Sequence, residues 1–180
     1  MLDTYAQRRE KRDEIREWIL GDLGEFTHFI TLSTNDTAYS EKMARAKLQE
    51  WHRRMNHHTA GRHWQKQTDR CNVWMAFAEG LKSERHWHIL FHLSDDLPAY
   101  RAEAMNWGHL DDTGRFVGNR TNFKCLPCAV ERRWKKIVWS GSTNVQRIYS
   151  LAGAVDYVTK ELTDPNNLAL FIHSSEFDQP

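Results

Sequence analysis

The sequence has few cysteines and no long apolar run, and each absence excludes a class of protein. Three cysteines among 180 residues are an odd number and too few for a disulfide framework, which is typical of a reducing compartment. No stretch approaches the roughly 18 apolar residues that a membrane-spanning helix needs. The opening segment, MLDTYAQRREKRDEIREW, is charged throughout and lacks the apolar core of a secretory signal. We therefore expect a cytoplasmic protein with no membrane partner.

Linkers are absent as well. The chain has four prolines and nine glycines, and no Pro/Gly-rich stretch, internal repeat or low-complexity tract divides it. We expect a single domain, large enough to bury a core. Within it we distinguish an N-terminal helical extension, residues 1–24, from the main domain, residues 25–180.

The net charge is small, but the charges are unevenly distributed. The formal charge of +1 does not by itself indicate a nucleic-acid partner. Between residues 120 and 147, seven basic residues face a single acidic one, Glu131. The basic residues are Arg120, Lys124, Arg132, Arg133, Lys135, Lys136 and Arg147. Such a run is either a solvated face or a phosphate-binding surface.

Hydrophobic periodicity predicts an α+β fold. The predicted strands are residues 26–33, 71–79, 86–93 and 144–150, with a loop or edge strand at 114–118. The predicted helices are residues 5–20, 41–58 with Ser40 as N-cap, 95–108 and 151–162. Residues 128–139 are ambiguous, and one interpretation is a helix that runs into a strand at 137–139. Strands joined as hairpins predict a central antiparallel β-sheet of about five strands with flanking helices.

The segment SERHWHILFHL places three histidines, His86, His88 and His92, on one face of a predicted strand. The other face carries Trp87, Ile89, Phe91 and Leu93. We expect that apolar face to line the core, so the histidines point to solvent or into a covered cleft. Position 90 is a leucine, which excludes the spacing of a histidine-triad nucleotide hydrolase.

Paired imidazoles two residues apart on a strand can hold one divalent metal when an oxygen ligand joins them. Glu79 ends the preceding predicted strand, seven residues before His86. A hairpin would bring its carboxylate beside the histidines. The alternative is a polar strand face that is merely solvated.

A second pattern occurs in AVDYVTKEL, residues 154–162. On a helix, Tyr157 and Lys160 share a face, and the apolar positions Val155, Val158 and Leu162 lie opposite. A tyrosine with an unperturbed pKa of about 10 is a poor nucleophile, but a nearby cation or metal can stabilise the phenolate or the phosphate under attack. The alternative is an amphipathic helix with a partly buried tyrosine and a surface lysine.

Three segments follow one another in a distinctive order: FITLSTN, then ERHWHILF, then VDYVTKEL. This order resembles the HUH endonucleases of rolling-circle replication, of the single-tyrosine YxxK type, over about residues 26–162. The resemblance implies an HUH/RRM-like sandwich in which Glu79, His86 and His88 bind Mg²⁺ or Mn²⁺. It also implies that Tyr157 is the nucleophile and that Lys160 positions the phosphate or the metal. His92 has no assured counterpart and is assigned only as a polar neighbour of the site.

The resemblance further implies a sequence-specific endonuclease that nicks and rejoins single-stranded DNA at a replication origin of a plasmid or virus, through a 5′-phosphotyrosine. Nothing after Glu161 has the length or the Gly-rich loop of a helicase domain, so a host helicase and polymerase are the expected partners. DNA contacts are expected from Arg120, Lys124, Arg132, Arg133, Lys135 and Lys136. Candidate stacking residues are Trp51, Trp64, Trp107, Trp134 and Trp139.

Three alternatives stay open at this point. A transposase or a relaxase of the same superfamily would share the metal and tyrosine chemistry and differ in substrate. A non-catalytic nucleic-acid-binding module would need neither metal nor Tyr157. Separately, Cys125 and Cys128 have the spacing of half a zinc site, for which His109 would be a partner.

Overall fold

In the described part of the chain, five strands form one antiparallel sheet, and two more form a short separate ribbon. The strands are β1 (His28–Ser33), β2 (Val73–Glu79), β3 (His86–His92), β4 (His109–Leu110), β5 (Phe116–Val117), β6 (Ser142–Arg147) and β7 (Phe171–His173). The sheet has the order β6-β1-β3-β2-β7, and every neighbouring pair is antiparallel. β4 pairs with β5.

Helices flank this sheet. They are α1 (Tyr5–Gly21), α2 (Glu41–Thr59), α3 (Leu126–Lys135) and α4 (Leu151–Thr159), with 3₁₀ turns at Trp64–Lys66, Lys160–Thr163 and Ser174–Phe177. This computed structural model describes residues 5–21, 23, 26–36, 39–67, 70–80, 85–93, 109–110, 116–117, 125–163 and 171–178. The predicted α+β class, with a five-stranded antiparallel sheet and flanking helices, is confirmed.

The central strand β3 is covered on both of its faces. On one face, Trp87, Ile89 and Phe91 pack against α2 and α3; we call it the α2/α3 face. On the other, Leu90 is fully buried in a second apolar cluster with residues of α1 and α4; we call it the α1/α4 face. Five consecutive buried residues in β3 are typical of a strand covered on both sides.

Local sequence explains where the helices begin. The Ser40 hydroxyl accepts a hydrogen bond from the Met43 backbone N–H at 3.3 Å, so the predicted N-cap of α2 is confirmed. The Ser150 hydroxyl caps α4 in the same way, accepting from the Gly153 N–H at 3.2 Å. α4 is thereby fixed at the end of β6, with its apolar side on the sheet.

α1 is part of the same packed unit rather than a detached segment. Ile19 is fully buried in the cluster of the α1/α4 face, and Arg16 forms an ion pair with Asp156 of α4. Among the residues described above, none of the helices has the length and hydropathy required to span a bilayer.

The structure corrects the ambiguous stretch 128–139. The helical part is α3, but the predicted strand at 137–139 is wrong, because the Ile137 and Val138 N–H groups both bond back to the Trp134 carbonyl at 2.8 Å in a turn. The last sheet strand before α4 therefore starts at Ser142, two residues earlier than predicted. β7 was not predicted. The predicted helix at 95–108 lies outside the described residues.

Candidate metal centre

The β2–β3 hairpin sets Glu79 directly opposite His86, with His88 two residues further along the same face. Nε2 of His88 lies 2.7 Å from Oε2 of Glu79, and Nε2 of His86 lies 3.5 Å from the same oxygen. One ligand atom from each residue lies within 4.8 Å of the other two. Ligands about 2.1 Å from a common ion are about 3.0 to 4.2 Å apart, so small side-chain adjustments suffice for all three to bind one ion. The predicted convergence of these residues is confirmed.

His88 supplies the strongest indication that this cluster fits a metal. Its side chain is only 7% exposed, and its Nε2 atom is buried without a hydrogen bond of acceptable direction, although the Glu79 carboxylate is close. An unsatisfied buried polar atom costs about 1–3 kcal/mol. A metal ion at this position would satisfy the Nε2 lone pair.

The other ring nitrogen of His88 is held by β1. Nδ1 lies 3.2 Å from the Thr31 hydroxyl, and Thr31 pairs with His88 across the sheet. With Nδ1–H as donor to that hydroxyl, Nε2 carries the lone pair that a metal requires. Such a partner on the far side of an imidazole fixes both its tautomer and its orientation.

Electrostatics favour the metal-binding protonation states. Burial lowers the pKa of His88, and the neighbouring His86 acts in the same direction, although the Glu79 carboxylate opposes them. Burial raises the pKa of Glu79, but His88, Lys160 and His86 outweigh it and hold that pKa below the ordinary value. A neutral imidazole and an ionised carboxylate are the forms that bind a divalent ion.

α4 places Tyr157 over the same site. Its ring centroid lies 5.2 Å from that of His88 and 5.7 Å from that of Phe29, edge-on to both. The side chain is 45% exposed, whereas Val155 and Val158 are buried, as the helical pattern predicts. Tyr157 therefore stands at the mouth of the metal centre with its ring held and its surface open to solvent.

Lys160 connects the tyrosine with the metal centre. It is the first residue of the 3₁₀ turn after α4, and its Nζ lies 4.0 Å from the Tyr157 ring centroid and 3.3 Å from Oε1 of Glu79. Burial lowers the pKa of Lys160, but Glu79 and Tyr157 raise it above the ordinary value. Oε1 of Glu79 thus contacts the ammonium group of Lys160, whereas Oε2 lies next to the two histidines.

Sequence reasoning missed Phe29 and Thr31 as members of the site. Both belong to the segment FITLSTN, and both occupy alternate positions of β1 on the α1/α4 face. The period-2 pattern of that strand was a usable signal. The pattern did not predict the register of β1 with β3, which brings Thr31 next to His88, 57 positions later in the chain.

The structure does not bring the part of the basic run at α3 to this site. Arg132, Arg133 and Lys135 lie on α3, with Lys136 as its C-cap, and α3 packs on the α2/α3 face. Arg133 donates to the Arg54 carbonyl at 3.3 Å, and burial lowers its pKa to about 10. Arg120 and Lys124 lie outside the described residues.

The remaining candidate residues differ in their burial and in their distance from the metal centre. The indoles of Trp51, Trp64 and Trp134 are buried in the core, so they are not stacking surfaces; Trp139 is 87% exposed, and Trp107 lies outside the described residues. His92 is at the opposite end of β3 from His86. Within the described ranges, the one group of three or more potential ligands contains neither cysteine of the CLPC segment. The His109 side chain is not among the described ones.

The centre thus joins a carboxylate, two imidazoles, a phenol and an ammonium group in one partly open site. Comparison of the chain with protein-family models, with curated proteins and with solved structures gave no match.

Proposed function

We propose that this protein is a metal-dependent endonuclease that nicks and rejoins single-stranded DNA through a covalent link to Tyr157. The observation that carries the proposal is the position of the Tyr157 ring, 5.2 Å from the centroid of the His88 imidazole and 4.0 Å from the Lys160 ammonium group. A phenol beside a three-residue metal cluster and an ammonium group can attack a phosphate that the ion polarises.

Glu79, His86 and His88 would hold the ion. When bound there, Mg²⁺ or Mn²⁺ supplies Lewis-acid polarisation of a DNA phosphate. Thr31 keeps the His88 ring in the metal-binding tautomer, and Phe29 packs edge-on against Tyr157 and limits the movement of its ring.

Tyr157 performs the substitution. Its phenol proton passes to solvent, the phenolic oxygen forms a bond to phosphorus, and the bond between phosphorus and the 3′ oxygen breaks. The 3′ oxygen takes up a proton and becomes a free hydroxyl, while the 5′ phosphate stays on the tyrosine. Lys160 stabilises the negative charge that develops near the ring, and Glu79 holds that ammonium in place.

The products define the biological role that we propose. A free 3′-OH can prime a polymerase, and attack by another 3′-OH on the phosphotyrosine reverses the reaction and rejoins strands. Nicking followed by rejoining is the chemistry that starts and ends rolling-circle replication of a plasmid or virus. Unwinding and synthesis would be the work of a host helicase and polymerase.

A covalent trapping assay tests this function. The chain is incubated with 3′-labelled single-stranded DNA carrying a hairpin with a randomised loop, in Mn²⁺ or in EDTA, and is then boiled in detergent and separated on a gel. We expect labelled protein only with Mn²⁺ and only when Tyr157 is present.

Tyr157→Phe removes one oxygen atom, and Tyr5→Phe is its matched control, because Tyr5 is an exposed tyrosine at the start of α1. An adduct that survives Tyr157→Phe, or forms equally in EDTA, contradicts the proposal. DNA retained without any covalent adduct favours a non-catalytic nucleic-acid-binding module instead.

A further inference from the structure

The edge strand β6 leaves part of the α1/α4 face uncovered beside the metal centre. Asn144 pairs with Thr31, which pairs with His88, so the three residues form one row across the sheet. Strands are about 4.8 Å apart, which places Asn144 about 10 Å from His88. Alternate positions of β6 on this face are Ser142, Asn144 and Gln146, and all three are exposed.

Two of the most exposed aromatic side chains stand at the ends of this strand. Trp139, 87% exposed, lies three residues before β6, and Tyr149, 85% exposed, lies two residues after it. A strand of this length spans about 20 Å. Along the chain, the exposed polar positions of β6 therefore lie between two exposed aromatic residues.

The turn that carries Trp139 is firmly held. The Ser140 hydroxyl donates to the Thr34 carbonyl, and the Asn35 amide donates to the Ser140 carbonyl, both at 2.9 Å. Asn35 adopts φ 50°, an uncommon conformation for a residue other than glycine. At Gly141 a Cβ atom would lie 2.8 Å from the Ser33 carbonyl oxygen. A turn fixed by hydrogen bonds therefore holds Trp139 in its exposed position.

β6 and the residues next to it along the chain carry no negative charge. From residue 137 to residue 155 the chain has one basic residue, Arg147, and no aspartate or glutamate. Arg147 ends β6 and is exposed, but it alternates with Gln146 and so lies on the α2/α3 face. Carboxylates that would repel a phosphate backbone are therefore missing from the strand and from both of its flanks.

We propose that β6, with Trp139 and Tyr149, binds the bases of single-stranded DNA next to the metal centre. Trp139 and Tyr149 stack on bases, and Asn144 and Gln146 set the sequence preference through hydrogen bonds to base edges. Single strands present their base faces for stacking, which duplexes do not, and each stacked base contributes about 1–3 kcal/mol. This inference rests on the proposed nicking function, because it assigns the surface that brings a chosen phosphate to Tyr157.

Binding measured without metal tests the inference apart from catalysis. The probe is fluorescein-labelled oligothymidine, followed by anisotropy in EDTA, with the duplex of the same length for comparison. Trp139→Ala should weaken binding about 5-fold or more, and duplex should bind more weakly than single strands. Tyr5→Ala is the matched control, because Tyr5 is also an exposed aromatic residue, 65% exposed, at the start of α1; it should leave binding unchanged.

Selection from a randomised single-stranded DNA library tests whether Asn144 and Gln146 determine the sequence preference. Wild-type protein should enrich a preferred sequence, and Asn144→Ala with Gln146→Ala should change it. All these side chains are exposed, so folding should be kept, and a thermal melt checks it.

The outcomes separate the two proposals. Unchanged affinity in Trp139→Ala together with an unchanged preferred sequence would overturn the inference, even if the Tyr157 adduct forms. Failure of the wild-type chain to bind oligothymidine would overturn it too. Weaker binding by Trp139→Ala, in a protein that forms no adduct, would support the surface and remove the nicking function.

Discussion

Thr31→Val is the most informative small change in the metal centre. Valine keeps the β-branched shape that suits a strand and removes only the hydroxyl 3.2 Å from Nδ1 of His88. The buried ring nitrogen then has no partner on that side, and neither the tautomer nor the ring angle is fixed. Loss of such a supporting hydrogen bond typically lowers metal affinity 10–100-fold, or about 1.4–2.8 kcal/mol.

The assay is titration of Mn²⁺ into the apoprotein, followed by electron paramagnetic resonance of the free ion. Thr143→Val is the matched control, because Thr143 lies on β6 but pairs with Leu32, on the α2/α3 face. We expect a weaker Mn²⁺ affinity for Thr31→Val and no change for Thr143→Val. Equal affinity in all three proteins, or an equal loss in both variants, would refute the orientation of His88 by Thr31.

Three further predictions concern the rest of the chain. Lys160→Met should slow adduct formation while Mn²⁺ binds at least as tightly, since Glu79 no longer shares its carboxylate with an ammonium; parallel loss of both would contradict this. Gly141→Ala places a Cβ atom 2.5 Å from an indole nitrogen and should lower the free energy of unfolding by about 1–3 kcal/mol, measured by urea denaturation; wild-type stability would be the contrary result. Burial, helped by Arg147, lowers the pKa of His28 to about 4. As the pH falls, the unfolded state therefore binds a proton before the folded state does. The contribution of His28 to the free energy of unfolding is complete above pH 6.5 and is lost as the pH falls towards 4. Between pH 6.5 and pH 4, the free energy of unfolding of His28→Gln, measured by urea denaturation, should therefore fall by about 1–3 kcal/mol less than that of wild type. An equal fall in both proteins would contradict this.

The metal cluster was predictable because its signals are local. Glu79 and the two histidines belong to consecutive strands joined by a short loop, and a hairpin allows few registers that keep Trp87 and Ile89 in the core. Helical spacing likewise placed Lys160 on the same side as Tyr157, although Lys160 lies in the 3₁₀ turn that follows α4. In both cases a single repeat length, 2 or 3.6 residues, was enough to group the side chains.

What could not be predicted depends on long-range packing. The histidine face of β3 gave no sign that α1 and α4 would cover it, because Leu90 is the only apolar residue between His88 and His92 on that side. The basic run pointed to DNA by composition, yet the apolar stripe of α3 directs its helix to the other face of the sheet. β7 has three residues, too few for a periodicity to be recognised, and Thr31 gains its role only through pairing with a distant strand.

One measurement tests the central claim most directly. After incubation with single-stranded DNA and Mn²⁺, followed by nuclease and trypsin digestion, mass spectrometry is applied to the peptide from residue 148 to residue 160. This peptide contains both Tyr149 and Tyr157, so fragmentation provides an internal control. The account predicts a 5′-phosphonucleotide on Tyr157, formed with Mn²⁺ and absent in EDTA; a nucleotide on Tyr149, or an equal yield in EDTA, would contradict it.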